Sequence, residues 1–127
     1  MLKTLPQANL YVYSIESVIA EKFHAMVLLD ESNSRMKDFY DVYQIFLSQE
    51  IDSQSLEKAI KATFRARDVV FNPEIKLFDS DFATDKVRQT LWKNFLHKIK
   101  QDNRFDFEDV MKLIREKLQK YWMALTA

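Results

Sequence analysis

The chain contains no glycine. Average usage near 7% would place about nine in a chain of this length. Glycine supplies positive-φ turns, bulges, and loops where backbone closes on a phosphate. A P-loop and a Gly-rich dinucleotide fingerprint are therefore excluded. A β-rich fold built on tight hairpins is disfavoured for the same reason. Only Pro6 and Pro73 interrupt the backbone, so long helices can run between them. With 127 residues, the expectation is a single all-α domain of about five helices in an irregular bundle.

The periodicity places those helices. Leu10 to Tyr13 is rich in aromatic and β-branched residues and predicts a short extended segment. Ser14 is a candidate N-cap, and helix one runs from there to about Asp30. Ile15, Val18, Ile19, Met26 and Leu29 recur along it at helical spacing. Asp30 to Ser34 is a polar loop. Helix two spans about Arg35 to Ser48, with Phe39, Val42, Tyr43, Phe46 and Leu47 as its apolar side. Helix three starts at a cap on Asp52 or Ser53, carries Leu56, Ala59, Ile60, Thr63 and Phe64, and ends near Arg67. Val69 to Pro73 breaks the pattern, and Glu74 to Phe78 is irregular or briefly extended. Helix four starts near Ser80 to Thr84 and runs to about Lys100 with Val87, Leu91, Phe95 and Ile99 in register. Asp106 caps helix five, where Phe107, Val110, Ile114, Leu118 and Tyr121 repeat.

Charge and residue usage narrow the function classes. Nineteen basic residues balance nineteen acidic ones, so no bulk attraction to nucleic acid or an anionic membrane follows, although a local patch is still open. The absence of cysteine removes disulfides, thiolate nucleophiles and thiolate-bound metals. No signal peptide and no membrane-spanning apolar run is visible. A cytoplasmic location without membrane partners is the expectation. His24 and His97 are the only histidines, and their separation does not suggest a metal site.

Lys22 falls on the stripe of residues 15, 18, 19, 26 and 29, whose other members are apolar. A lysine there either finds a counter-ion, because a buried ammonium is costly, or snorkels its head to water. Asp38 and Asp41 are three residues apart on helix two and share a face. Such a pair can bind Mg²⁺ or accept a proton, or simply stabilise the helix N-terminus beside Arg35 and Lys37. A short loop makes the two helices neighbours, within ion-pair reach of one another. The basic and aromatic stretch Arg88 to Lys100, with Trp92 and Phe95, either faces RNA or packs its apolar side inward and leaves its lysines solvated.

The run from Tyr13 to Met26, containing Ala20-Glu21-Lys22, and the run Asn33 to Asp41, containing Arg35-Met36-Lys37-Asp38-Phe39-Tyr40-Asp41, resemble the AbiEii-type nucleotidyltransferase toxins of type IV toxin–antitoxin pairs. Phe64 to Arg67, Phe82-Ala83 and Trp92 to Leu96 are similar more loosely. The resemblance implies the helical C-terminal lobe of a two-lobed enzyme. It implies that Lys22 contacts nucleotide phosphates, that Asp38 or Asp41 is a catalytic carboxylate, and that Arg35 and Lys37 bind phosphate. Mg²⁺ and a nucleoside triphosphate (NTP) are implied as cofactor and substrate, and RNA as acceptor.

The family's other lobe is a palm sheet with a glycine-bearing turn and an Asp-x-Asp pair. A glycine-free sequence cannot contain that turn. Asp79-Ser80-Asp81 is the one Asp-x-Asp motif, but it follows the lysine element instead of preceding it, and it is expected to cap helix four. The expectation is thus a helical lobe that is inactive alone, as a truncated product or as one half of an enzyme whose palm-lobe chain is separate. The alternative is a non-catalytic helical module that binds protein or nucleic acid. The cognate antitoxin is not inferable from these residues.

Overall fold

The computed structural model describes residues 14–67, 74–102 and 104–126. Among these residues the protein is all-α, with six helices and no strand. They are α1 (Ile15–Leu29), α2 (Met36–Ser48), α3 (Ser53–Ala66), α4 (Ser80–Thr84), α5 (Lys86–Lys98) and α6 (Phe107–Thr126). The extended segment expected at Leu10 to Tyr13, and the break at Val69 to Pro73, lie outside the described residues. No described helix is long and apolar enough to cross a membrane.

Helix starts follow side-chain capping. The Ser14 hydroxyl accepts the Ser17 N–H at 3.0 Å, and the Asp52 carboxylate accepts the Ser55 N–H at 2.8 Å. Each satisfies a backbone donor that the helix itself leaves unpaired. The helix expected to start between Ser80 and Thr84 and to reach Lys100 is instead two. Asp85 adopts an extended conformation (ψ 127°) and caps α5 by accepting the Arg88 N–H at 2.9 Å. An acid able to start a helix has divided one here. Asp79 occupies the N-cap position of α4 but makes no side-chain capping bond.

Helix ends expose the cost of having no glycine. Among the described residues only Asp30 and Lys100 have positive φ, at 41° and 61°. At Lys100 the α5 terminus closes as a Schellman motif: Gln101 N–H donates to Leu96 O at 2.8 Å and Lys100 N–H to His97 O at 3.1 Å. Glycine ordinarily fills that left-handed position, because a Cβ there costs about 1–2 kcal/mol. At Asp30 the strain is offset differently. Its carboxylate accepts the Lys76 and Leu77 N–H groups at 3.0 and 2.8 Å, tying the end of α1 to the segment before α4.

The core sits where α1 packs along α3, and α2 against α1, α5 and α6. Ile19, Phe23, Met26, Phe39, Phe64, Trp92 and Ile114 are all essentially removed from water. Each such side chain contributes about 1.5–3 kcal/mol. On α1 the buried residues are Ile19, Ala20, Phe23, Met26 and Val27. The core face is therefore centred on Phe23, and the stripe expected from residues 15 to 29 straddles its edge. Lys22 and Val18 stand on the rim of the core, not in its middle. That rotation sets the geometry of the site.

Candidate functional site: a cation cluster between two helices

The loop between α1 and α2 brings Lys22 to the start of α2. The buried Asn33 organises the entry, its side-chain oxygen accepting the Arg35 N–H at 2.7 Å. The first turn of α2 then presents Asp38 inward and Arg35 and Lys37 outward. Lys22 Nζ lies 3.2 Å from Asp38 Oδ1 and 3.1 Å from Asp41 Oδ2. Arg35 Nε lies 3.0 Å from Asp38 Oδ2, and Lys37 Nζ 2.7 Å from Asp41 Oδ2. Three cations thus surround two carboxylates. The structure brings together all five residues that the sequence singled out.

Burial separates their roles. The Asp38 side chain is 5% exposed, Lys22 and Asp41 are each 24% exposed, and Arg35 and Lys37 project into solvent. Asp38 Oδ2 is sealed from water and makes no hydrogen bond, because Arg35 Nε approaches it outside hydrogen-bonding alignment. Burial by itself would lower the Lys22 pKa. Its contacts with Asp41 and Asp38 outweigh that and raise it above the ordinary lysine value. Lys22 is accordingly a fixed positive charge near neutral pH. An ammonium has three donor protons. Two are taken up by the carboxylates, and Lys22 also lines the adjoining cleft.

That cleft, of about 480 Å³, runs along α1. Lys22, Arg35 and Arg67 supply its cations, and Val18, Ala25 and Leu28 give it an apolar stripe. Arg67, at the end of α3, reaches Glu21 of α1 with Nη2 and Oε1 at 2.5 Å. His24 meets the Phe64 ring edge-on at 5.5 Å between centroids. Burial, reinforced by the nearby Arg67 charge, lowers its pKa below the ordinary histidine value. The imidazole is therefore neutral at physiological pH. No spacing in the chain groups Glu21, His24 and Arg67, since helical periodicity carries no information on which helix end meets which face.

The carboxylates do not fit a Mg²⁺ ion. No group of three or more His, Cys, Asp or Glu among the described residues could hold a metal. Asp38 is buried, and both acids are already neutralised by cations that would repel a divalent ion. Asp79-Ser80-Asp81 belongs to the start of α4, which packs against α5 and α6.

No curated protein and no solved structure matches the chain. The family model described as "Nucleotidyl transferase AbiEii toxin, Type IV TA system" matches residues 1–113. That span holds the whole cation cluster and both walls of its cleft, and the chain belongs to the AbiEii nucleotidyltransferase toxin family.

Proposed function

We propose that the chain forms the phosphate-binding helical lobe of a toxin nucleotidyltransferase, with an NTP bound in the cleft along α1. The observation that carries this reading is the Lys22 ammonium, held between two carboxylates at the cleft wall with one donor to spare. Lys22, Arg35 and Arg67 would take the triphosphate oxygens. Phosphoryl-group chemistry depends chiefly on positioned positive charge, which these three side chains would supply. Lys37 widens the positive field beside Asp41.

Asp38 acts in this proposal as a positioning residue that fixes Lys22 and Arg35. Asp41 is the more accessible carboxylate and the better candidate to accept a proton. Metal-binding carboxylates are assigned to a palm lobe supplied from outside this cluster, with RNA as the acceptor. Membership of a type IV system implies an antitoxin partner.

The test is calorimetric titration of the purified chain with an NTP. Lys22→Ala is expected to weaken binding about tenfold or more, the loss of a charge-assisted contact. Radiolabelled nucleotide incorporation into RNA, with and without a palm-lobe partner, tests the transfer step. Activity that appears with the partner and disappears in Lys22→Ala supports the reading. No nucleotide binding, together with a Lys22→Ala variant more stable than wild type, refutes it.

A further inference from the structure

A second cleft, of about 550 Å³, meets the first at Arg35 and Asp38. It opens between the first turn of α2 and one face of α5. Arg35, Lys37 and Lys98 are its exposed cations, and Asn94 and the half-buried Phe95 line it beside them. Its single carboxylate is Asp38, which is buried and already paired with Lys22. The chain as a whole is neutral, so this is a local excess of positive charge. Lys98 has no ion pair among the described residues. Phe95 is braced from behind, with its ring 5.5 Å from Tyr40 and 5.8 Å from Trp92. Exposed cations around a fixed aromatic ring suit a single-stranded nucleic acid, whose phosphates take the charge and whose bases stack.

The location matters as much as the composition. A two-substrate transfer needs the attacking oxygen held about 3–3.5 Å from phosphorus, so donor and acceptor sites must abut. These clefts share a wall at Arg35.

We propose that the second cleft holds the acceptor, a single-stranded RNA end with phosphates on Lys98 and Lys37 and a base against Phe95. The inference rests on the donor site proposed above. In the transfer, the terminal hydroxyl oxygen bonds to the α-phosphorus of the NTP. The bond from that phosphorus to the bridging oxygen breaks, pyrophosphate leaves, and the hydroxyl proton passes through water to Asp41, the carboxylate proposed above to accept it.

The test uses the full chain, a fluorescently labelled eight-nucleotide single-stranded RNA, an acidic peptide of equal charge, and an NTP. Lys98→Glu is expected to weaken RNA binding and to lower the slope of log affinity against log salt by about one. Phe95→Leu keeps most of the apolar volume and is expected to weaken RNA about tenfold through lost stacking. Thermal melts check that each variant is folded, and Lys98, being exposed, carries little folding risk. NTP affinity is expected to stay unchanged in Lys98→Glu. RNA binding that is absent, or unmoved in both variants, overturns the acceptor site while the donor reading stands on its own titration. An acidic peptide bound as well as RNA, with Phe95→Leu silent, also overturns it. RNA bound by a wild-type chain that binds no NTP sinks the donor reading, and the acceptor role with it.

Discussion

Asp38 accepts a hydrogen bond from Lys22 at 3.2 Å across the α1–α2 junction, and it is the one charged side chain buried among the described residues. A carboxylate in that position depends on its cations, since an uncompensated buried charge costs far more than the intact pair contributes.

Removing Lys22 therefore exposes that dependence. Lys22→Ala leaves Asp38 with the misaligned Arg35 contact alone and is expected to cost about 1–3 kcal/mol. Lys22→Ala combined with Asp38→Ala removes the stranded charge, so the double variant is expected to lose less than the sum of the singles. Urea denaturation of the three variants measures the coupling. Strict additivity would show that the pair is not a unit.

The raised Lys22 pKa gives an alkaline signature. Its folded value lies above the ordinary 10.5, so the folded chain holds the proton more tightly than the unfolded chain. The stabilisation is complete below pH 10.5 and fades as pH rises through the folded value. Burial also raises the Tyr121 phenol pKa above 10.0, which adds a loss of the same sign. Comparing Lys22→Met with wild type isolates the lysine. Wild type is expected to lose stability faster than the variant above pH 10.5, as followed by urea midpoints across the alkaline range.

The two positive-φ residues predict opposite responses to glycine. Lys100→Gly relieves a left-handed position whose side chain makes no necessary contact, and a gain of about 0.5–1 kcal/mol is expected. Asp30→Gly relieves similar strain but removes the carboxylate that accepts the Lys76 and Leu77 N–H groups. A net loss of about 1–2 kcal/mol is expected there, because two backbone donors lose a charged acceptor. Thermal melts of the two variants should shift in opposite directions.

The contrast between Lys22 and Arg67 shows what was legible in the sequence. Lys22, Asp38 and Asp41 could be grouped because their relation is local: one helical stripe, one short loop, one i,i+3 step. Arg67 meets Glu21 forty-six residues away in sequence, through α1–α3 packing that no spacing encodes. On α5 the expected ladder is half right for a geometric reason: Leu91, Phe95 and Ile99 pack against the core but only partly buried, and Val87 does not. Val87, Leu91, Phe95 and Ile99 form a strict i+4 ladder, and each four-residue step rotates about 40° beyond a full turn. The ladder therefore walks around the helix. Val87 emerges 68% exposed, while Trp92 and Leu96 are the residues buried. The break at Asp85 was hidden because an Asp reads equally well as a cap or as a surface residue until its ψ is known.

Asp38 and Asp41 also have a consequence for how any anion would be received. Long cationic side chains normally surrender about 0.5–1.5 kcal/mol of rotamer freedom each when a ligand immobilises them. Here Lys22 is held by both acids before anything arrives. Much of its freedom has been given up during folding, so an incoming anion meets a pre-aimed ammonium.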